Sequence, residues 1–409
     1  MPKYDVIVVG AGPAGSTAAY FLGLHGVRAL MIDKGRFPRD KPCGGGISAR
    51  LLDRFPYLVK PLESIPVRSI RKVYLQSPGG VVLRHETTSP LYLMVRRYEF
   101  DHLLFKIAQR SVETLECAIV NRVEVTPESA TVCTQGGDEF DCQVVIGADG
   151  ANSIVARVSG LRQGRVVSEY AIDMMEETPY EKIEVCDREC MYVYYAIGGH
   201  YGYGYVFPKA HHLNLGIGYK LDYYLSRFKR PHYSHQLAFI EKLKQDDLVK
   251  GNSEIKNFRA FPIPVRGPLA KTYAERVLLC GDAAGFVNAF TAEGIYYAMV
   301  SGQHAAATVI RALQDQDFSG KRLGEFQKEW KAEIGLELEK SVSIQDFLLS
   351  DPRRIDRIVN AARSDRRLAC LLTSYATGAM GYGEFKRAMI FQAFPVYVWH
   401  KIARSFRRH

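Results

Sequence analysis

The chain has 409 residues, 47% of them hydrophobic and 24% charged. That is ordinary globular composition, long enough for two intertwined domains, with no apolar run near the roughly 18 residues of a membrane span. The formal net charge is +10, and residues 351–409 alone carry 12 Lys and Arg against 4 Asp and Glu. No nucleic-acid-binding motif accompanies this surplus, so nucleic acid is not expected as a partner.

The first residues run directly into a strand, without the basic, apolar and small-residue succession of a secretory leader, which predicts a cytoplasmic protein. Its eight cysteines are scattered, and thiols in that compartment stay reduced. Cys186 and Cys190 lie four apart with no second Cys or His pair at zinc-ligand spacing, so no metal site is predicted.

Residues 4–9 (YDVIVV) form a continuous apolar run, the pattern of a strand buried on both faces. Gly10, Gly12 and Gly15 follow at G-x-G-x-x-G spacing, with Pro13 and Ala14 opening a helix that runs to about Leu24. Gly10 allows the tight turn, Gly12 lets backbone approach a pyrophosphate, and Gly15 lets the helix pack close to the strand. A second strand over residues 28–33 ends at Asp33 and Lys34, with Asp33 placed for the adenosine ribose hydroxyls. The unit predicts dinucleotide binding without choosing between FAD and NAD.

Next comes Lys41-Pro42-Cys43-Gly44-Gly45-Gly46-Ile47-Ser48, whose glycines suit a loop passing close to a flat ring. Cys43 there either tunes the ring, contacts substrate, helps deliver a proton or simply fills a gap. Arg97-Tyr98-Glu99-Phe100-Asp101 follows, and residues 143–158 run from a β-branched strand through Asp149 and Gly150 to a helix after Ser153.

Residues 191–219 read as a three-stranded antiparallel meander. Tyr192 and Tyr194 share one face of the first strand, Tyr203, Tyr205 and Phe207 one face of the second, and Leu213, Leu215, Ile217 and Tyr219 one face of the third. Pro208 and Lys209 close the second strand. Together these faces predict either an apolar wall over a bound ring or plain core packing. The segment 276–302 is another buried strand, then Gly281-Asp282-Ala283-Ala284-Gly285, then Thr291-Ala292-Glu293-Gly294-Ile295 and a small-residue helix. The terminal residues pair Phe391, Phe394, Tyr397 and Trp399 with Lys401, Arg404, Arg407 and Arg408. That mixture is either a solvated helical face or one that meets anionic lipid headgroups on the inner face of a membrane.

The segments at 97–101, 143–158 and 276–302, in this order after the glycine fingerprint, resemble the flavoprotein hydroxylases and reductases related to para-hydroxybenzoate hydroxylase. The loop at 41–48 and Gly204-Tyr205-Val206-Phe207-Pro208-Lys209 narrow the resemblance to the geranylgeranyl reductase family, over residues 1–310. The chain departs from that family's pattern at Phe290, Thr291 and Ala292, where Pro and then Gly are frequent, and at Tyr205, where Trp is.

The resemblance implies FAD as cofactor and an α/β fold. Its parts are a Rossmann-like FAD-binding domain of the glutathione reductase/para-hydroxybenzoate hydroxylase type, an inserted antiparallel-sheet substrate domain and a helical C-terminal region. The corresponding boundaries are 1–65, 91–165 and 256–330, then 66–90 and 166–255, then 331–409. Asp149 and Gly150 would lie beside the ribityl chain and pyrophosphate, Asp282 with Gly281 and Gly285 would hold the ribityl chain, Glu293, Gly294 and Ile295 would cradle the ring, and Arg97 would approach the cofactor. The implied reaction saturates carbon–carbon double bonds of an isoprenoid chain, with hydride from reduced flavin and a proton from Cys43, a pocket tyrosine or water.

Cys43 and Tyr205 are therefore the catalytic candidates, and Tyr203, Tyr205, Phe207 and Pro208 the substrate-binding ones. The electron donor is expected to be NAD(P)H or a reduced ferredoxin-like protein. Two alternatives remain: a monooxygenase acting on an aromatic or polyketide substrate, and a non-catalytic flavin module signalling through its basic tail. A halogenase is disfavoured by the lack of a Trp-x-Trp-x-Ile-Pro segment.

Overall fold

The computed structural model describes residues 3–164, 166–228 and 232–393. The opening strand Val6–Val9 is buried at every position, as its continuous apolar run requires, and lies centrally in a six-stranded sheet. It pairs in parallel with Ala29–Ile32 on one side and Val144–Gly147 on the other. Glu113–Leu115 extends the sheet beyond the first and Val277–Leu279 beyond the second, with Tyr273–Ala274 antiparallel at the edge. Helix Pro13–Leu24 packs against the 21-residue helix Ile295–Asp315. Their backbones approach so closely that a Cβ on Gly302 would stand 2.3 Å from the Ala14 carbonyl oxygen. Small residues on both helices are what permit this crossing.

The second layer is a seven-stranded sheet in the order Phe258–Pro264, Tyr170–Pro179, His212–Lys220, Gly202–Pro208, Cys190–Tyr195, Lys72–Gln76 and Val82–Glu86. It is antiparallel except where Cys190–Tyr195 meets Lys72–Gln76. Phe258–Pro264 lies past the boundary expected at 255/256, because its backbone pairs with Tyr170–Glu176 rather than with the nucleotide-binding sheet. A small sheet of Gly46–Ser48, Tyr92–Met94 and Arg68–Ile70 joins the two layers.

The meander forms, but its faces are not the ones expected from alternation alone. Register pairs Val193 with Tyr205 and Tyr205 with Gly216, so Met191, Val193 and Tyr195 share the face of Tyr203, Tyr205 and Phe207. Tyr192, Tyr194, Leu213, Leu215, Ile217 and Tyr219 face the other way, into a core with Phe239, Ile240 and Leu243 of helix His232–Gln245. Strand phase is set by cross-strand register, which a single strand's pattern does not contain.

Helices Leu336–Leu349, Pro352–Arg363 and Arg366–Ala376 close the far edge of this sheet. Asp351 caps the second, accepting from the Arg353 amide. Its buried face is Ile355, Val359 and Ala362, at helical spacing, while Arg353, Arg357 and Arg363 face solvent. Of the aromatic-basic tail, Phe391 is described and fully outward-facing, 76% exposed; Phe394, Tyr397, Trp399, Lys401, Arg404, Arg407 and Arg408 lie outside the described residues. Among the described residues no helix is long and apolar enough to cross a membrane.

Candidate active site

One cavity of about 940 Å³ runs from the glycine fingerprint, past the Cys43 loop, to the C-terminal helices. At its first end the chain supplies mostly backbone. Gly10 has φ +99°, and a Cβ there would lie 2.4 Å from the Ala148 carbonyl oxygen, so only glycine is accommodated. Gly12, Pro13 and Ala14 line the cavity at a helix N-terminus, where free amides and the dipole favour a pyrophosphate. Gly15 does not reach it: its Cβ would sit 1.8 Å from the Gly10 carbonyl oxygen, so its part is the close helix–strand contact.

Asp33 is buried and accepts from the Ala11 amide at 2.7 Å and the Gly35 amide at 2.8 Å, which fixes its carboxylate beside Lys34 at the cavity wall. Arg39, not singled out from sequence, bridges Asp33 at 3.6 Å and Asp101 at 3.2 Å.

Asp149 and Gly150 line the wall as well, yet the Asp149 carboxylate is occupied by Ser153 Oγ at 2.5 Å and by the Ile154 and Val155 amides. It caps its own helix. Asp282 has no side-chain hydrogen bond among the described residues and is left open toward a ligand hydroxyl, with Gly281 at φ +58° beside it. Gly285 and Pro208 are corrections, since neither lines the cavity: Gly285 turns the chain past the Gly267 carbonyl oxygen, and Pro208 ends its strand opposite Leu213.

Arg97 is buried, lines the cavity, and grips Asp101 with two bonds of 2.6 and 2.8 Å. Burial opposes its charge, but Asp101 more than offsets this and holds it protonated.

The Cys43 loop is clamped from behind. Gly45, at φ +69°, leaves room only for a hydrogen, because a Cβ would meet the Val95 carbonyl oxygen at 2.1 Å. A Cβ on Gly44 would meet the Phe207 ring at 2.9 Å, so strand and loop are in contact there. Lys209, 1% exposed, pairs with Glu177, which Arg96 also engages. Asn214 ties Glu177 to the Cys43 carbonyl oxygen, at 3.1 and 3.3 Å. Burial disfavours the Glu177 charge, yet the two cations prevail and hold its carboxyl below its ordinary range.

The Tyr205 hydroxyl lies 3.3 and 3.2 Å from the two oxygens of Asp173. Burial pushes the Asp173 carboxyl up to about 7, against the pull of Tyr205 and Lys41, and raises the Tyr205 hydroxyl well above its ordinary value. Lys41 sits 3.6 Å over the Phe261 ring, its pKa lowered by burial, with no ion-pair partner among the described residues.

Beyond Tyr203, Tyr205 and Phe207 the walls turn apolar: Leu75, Leu83 and Met191 from the sheet, Leu348, Val359 and Leu372 from the C-terminal helices. These helical residues were missed as site residues. The apolar spacing of 355, 359 and 362 was readable, but it does not say whether such a stripe covers core or lines a tunnel.

Phe290 to Ile295 forms the remaining wall. Asn288 Oδ1 receives the Phe290 and Thr291 amides, both at 3.1 Å, and the Thr291 hydroxyl receives that of Glu293 at 3.2 Å. Ala292 takes φ +57°, a left-handed conformation normally left to glycine. Gly294 and Ile295 then start the long helix, with its N-terminus at the cavity.

Backbone cradle, left-handed glycines and the open Asp282 fit FAD, and they define an FAD-binding oxidoreductase. Residues 3–317 match the family model described as FAD binding domain. The chain is 30% identical to digeranylgeranylglycerophospholipid reductase 2 of Methanothermobacter thermautotrophicus, over 85% of this chain and 88% of that one. It is 31% identical to the chloroplastic geranylgeranyl diphosphate reductase of Oryza sativa subsp. japonica, over 80% and 72%. A geranylgeranyl bacteriochlorophyll reductase-like protein from Thermoplasma acidophilum shares the fold, with a TM-score of 0.78, 22% identity and coverage of 94% and 98%. The chain belongs to the geranylgeranyl reductase family of FAD-dependent oxidoreductases.

Proposed function

We propose that the protein saturates carbon–carbon double bonds in an isoprenoid, geranylgeranyl-type chain. The observation that carries this is the continuity of the flavin cradle with an apolar tunnel, roofed by C-terminal helices. An isoprenoid chain has no polar groups to satisfy, and the tunnel walls are mostly aliphatic, with only the hydroxyls of residues such as Thr373 and Tyr375 among them. Its binding would be driven by burial of apolar surface, about 25 cal/mol per Å². The relatives' names, a digeranylgeranyl lipid and geranylgeranyl diphosphate, support the same substrate class.

FAD, when bound and reduced, supplies hydride. The residues that would hold it are Gly10, Gly12, Pro13, Ala14, Asp33, Lys34, Asp149, Gly150, Gly281 and Asp282 at its nucleotide and ribityl parts. Cys43, Gly44, Gly45, Arg97, Glu293, Gly294 and Ile295, which line the same cavity, would surround its ring. Tyr203, Tyr205 and Phe207 would hold an alkene against that ring and exclude water there. Cys43 and Tyr205 border the reacting region, and Asp173 fixes the Tyr205 ring. Electrons would come from NAD(P)H or a reduced ferredoxin-like protein, and the outward-facing Phe391 would assist peripheral contact with a membrane that holds the substrate.

The test is to reduce the holoprotein anaerobically and add geranylgeranyl diphosphate or a digeranylgeranyl phospholipid. Flavin reoxidation without oxygen, with a product heavier by one H2, is expected. Reoxidation only on admitting air, with an oxygen atom in the product, would identify a monooxygenase instead.

A further inference from the structure

Alkene reduction needs a proton as well as a hydride, and the cavity holds six carboxyl groups: Asp33, Asp40, Asp149, Asp173, Asp282 and Glu293. Asp33 and Asp149 have their oxygens occupied by backbone amides. Asp173 accepts Tyr205 on both oxygens. Asp40 is exposed and Asp282 only half-buried.

Glu293 differs from all of them. Its side chain is 3% exposed, and neither carboxyl oxygen closes a hydrogen bond of good geometry. The guanidinium of Arg50 stands 3.9 Å away but is already engaged by Glu337 at 3.0 Å and by the Tyr297 hydroxyl at 2.9 Å. Tyr92, buried and cavity-lining, is a further titratable neighbour, as are Glu337 and Tyr297. The turn at Gly378 closes over the carboxyl, such that a Cβ there would lie 2.5 Å from Glu293 Oε2. Ser48 locks that turn by donating to the Gly378 carbonyl oxygen at 2.7 Å. A buried carboxylate whose one cation stands 3.9 Å off and is shared with Glu337 is expensive to keep charged, which favours its protonated form.

We propose that Glu293 is the acid that delivers the proton in this reaction, an assignment that rests on the alkene-reductase reading. The alkene gains hydride, supplied by reduced flavin, at one carbon. Its π bond opens and the other carbon takes the Glu293 proton as the O–H bond breaks. The flavin is thereby oxidised by two electrons, the substrate reduced, and the resulting carboxylate regains a proton from solvent. Burial pushes this carboxyl up to about 7, with Arg50 and the Ser48 amide pulling it down and Glu337 adding to the rise, so a protonated fraction persists at neutral pH.

The experiment follows anaerobic flavin reoxidation by geranylgeranyl diphosphate across pH in holoprotein of wild type, E293Q and D173N. Infrared difference spectra of the same samples report protonated carboxyl groups directly. E293Q is expected to slow reoxidation at least ~100-fold with little change in substrate binding, the usual worth of a positioned acid. It should also abolish the fall in rate above neutral pH and remove a carboxylic C=O band that survives to about pH 7 in wild type, while D173N keeps that band. A wild-type rate and pH profile in E293Q, with both lost in D173N, would overturn the proposal in favour of the Asp173–Tyr205 pair. Absence of the E293Q-sensitive band would overturn it without any appeal to turnover. Wild type that is never reoxidised by a prenyl substrate would bring down the reductase reading itself, whereas reoxidation unaffected by E293Q would bring down this assignment alone.

Discussion

The two ends of the cavity are built on opposite principles. The flavin cradle is made of backbone: amides at a helix N-terminus, glycines at φ +99° and +58°, and carboxylates pinned by local amides. The tunnel is made of side chains drawn from three strands of one sheet and three C-terminal helices, distant in sequence. A cradle of this kind tolerates almost no change of residue type, because a Cβ meets fixed backbone. A tunnel tolerates many, because hydrophobic residues of similar volume substitute for one another. Cofactor identity therefore leaves a sharp imprint on sequence, and substrate identity a faint one.

The largest test of that contrast is Gly15→Ala. Its new Cβ would fall 1.8 Å from the Gly10 carbonyl oxygen, so helix and strand must part. Purified G15A should retain less than about a tenth of its flavin, measured by absorbance after denaturation, consistent with a loss of several kcal/mol. In the tunnel, Val359→Phe should leave flavin content intact. It should weaken geranylgeranyl binding about tenfold, roughly 1.4 kcal/mol, through overpacking, which calorimetry would read. Equal flavin loss in the two variants would break the comparison.

A change confined to charge comes next. Glu293 has a folded-state pKa of about 7 against an ordinary carboxylate value, so the folded protein binds more protons than the unfolded chain between about pH 4.5 and 7. Stability from this group is full below that window and is lost as pH rises through it. E293Q should therefore gain on wild type between pH 5 and pH 8, by ~1–3 kcal/mol, seen as a rising difference in Tm. A difference that falls with pH would contradict the dominance of burial at this acid.

The smallest effect expected is at Ala292. At φ +57° it occupies a conformation that costs a non-glycine residue about 1 kcal/mol. Ala292→Gly should stabilise the protein by less than that, since glycine also loses more freedom on folding.

How much was readable follows from the same contrast. The glycine fingerprint, Asp33 and the Gly281-Asp282 turn were legible because each needs fixed residue types at fixed spacing, and the departure at Ala292 proves to keep the glycine-like backbone. Gly285 and Pro208 were misplaced at the cavity, since a turn motif does not say which of its members faces outward. The meander's faces were assigned from single strands, and the Val193–Tyr205 register reassigned Tyr192 and Tyr194 to the opposite core. Asp173 and Glu177 left no local signal, and Lys209 was marked only as the end of a motif, with nothing to say that it pairs with Glu177. Asp173 and Glu177 lie on one strand and Lys209 just past the end of another, and only the fold brings them to Tyr205 or behind Cys43.

If cradle and tunnel form one site, an isoprenoid chain lies against the flavin. The most direct measurement is to titrate the oxidised holoprotein, without turnover, with geranylgeranyl diphosphate and record the flavin difference spectrum. A saturable perturbation of the flavin bands is expected in wild type, weakening in Val359→Phe. A spectrum untouched by prenyl ligands but perturbed by an aromatic acid would contradict it.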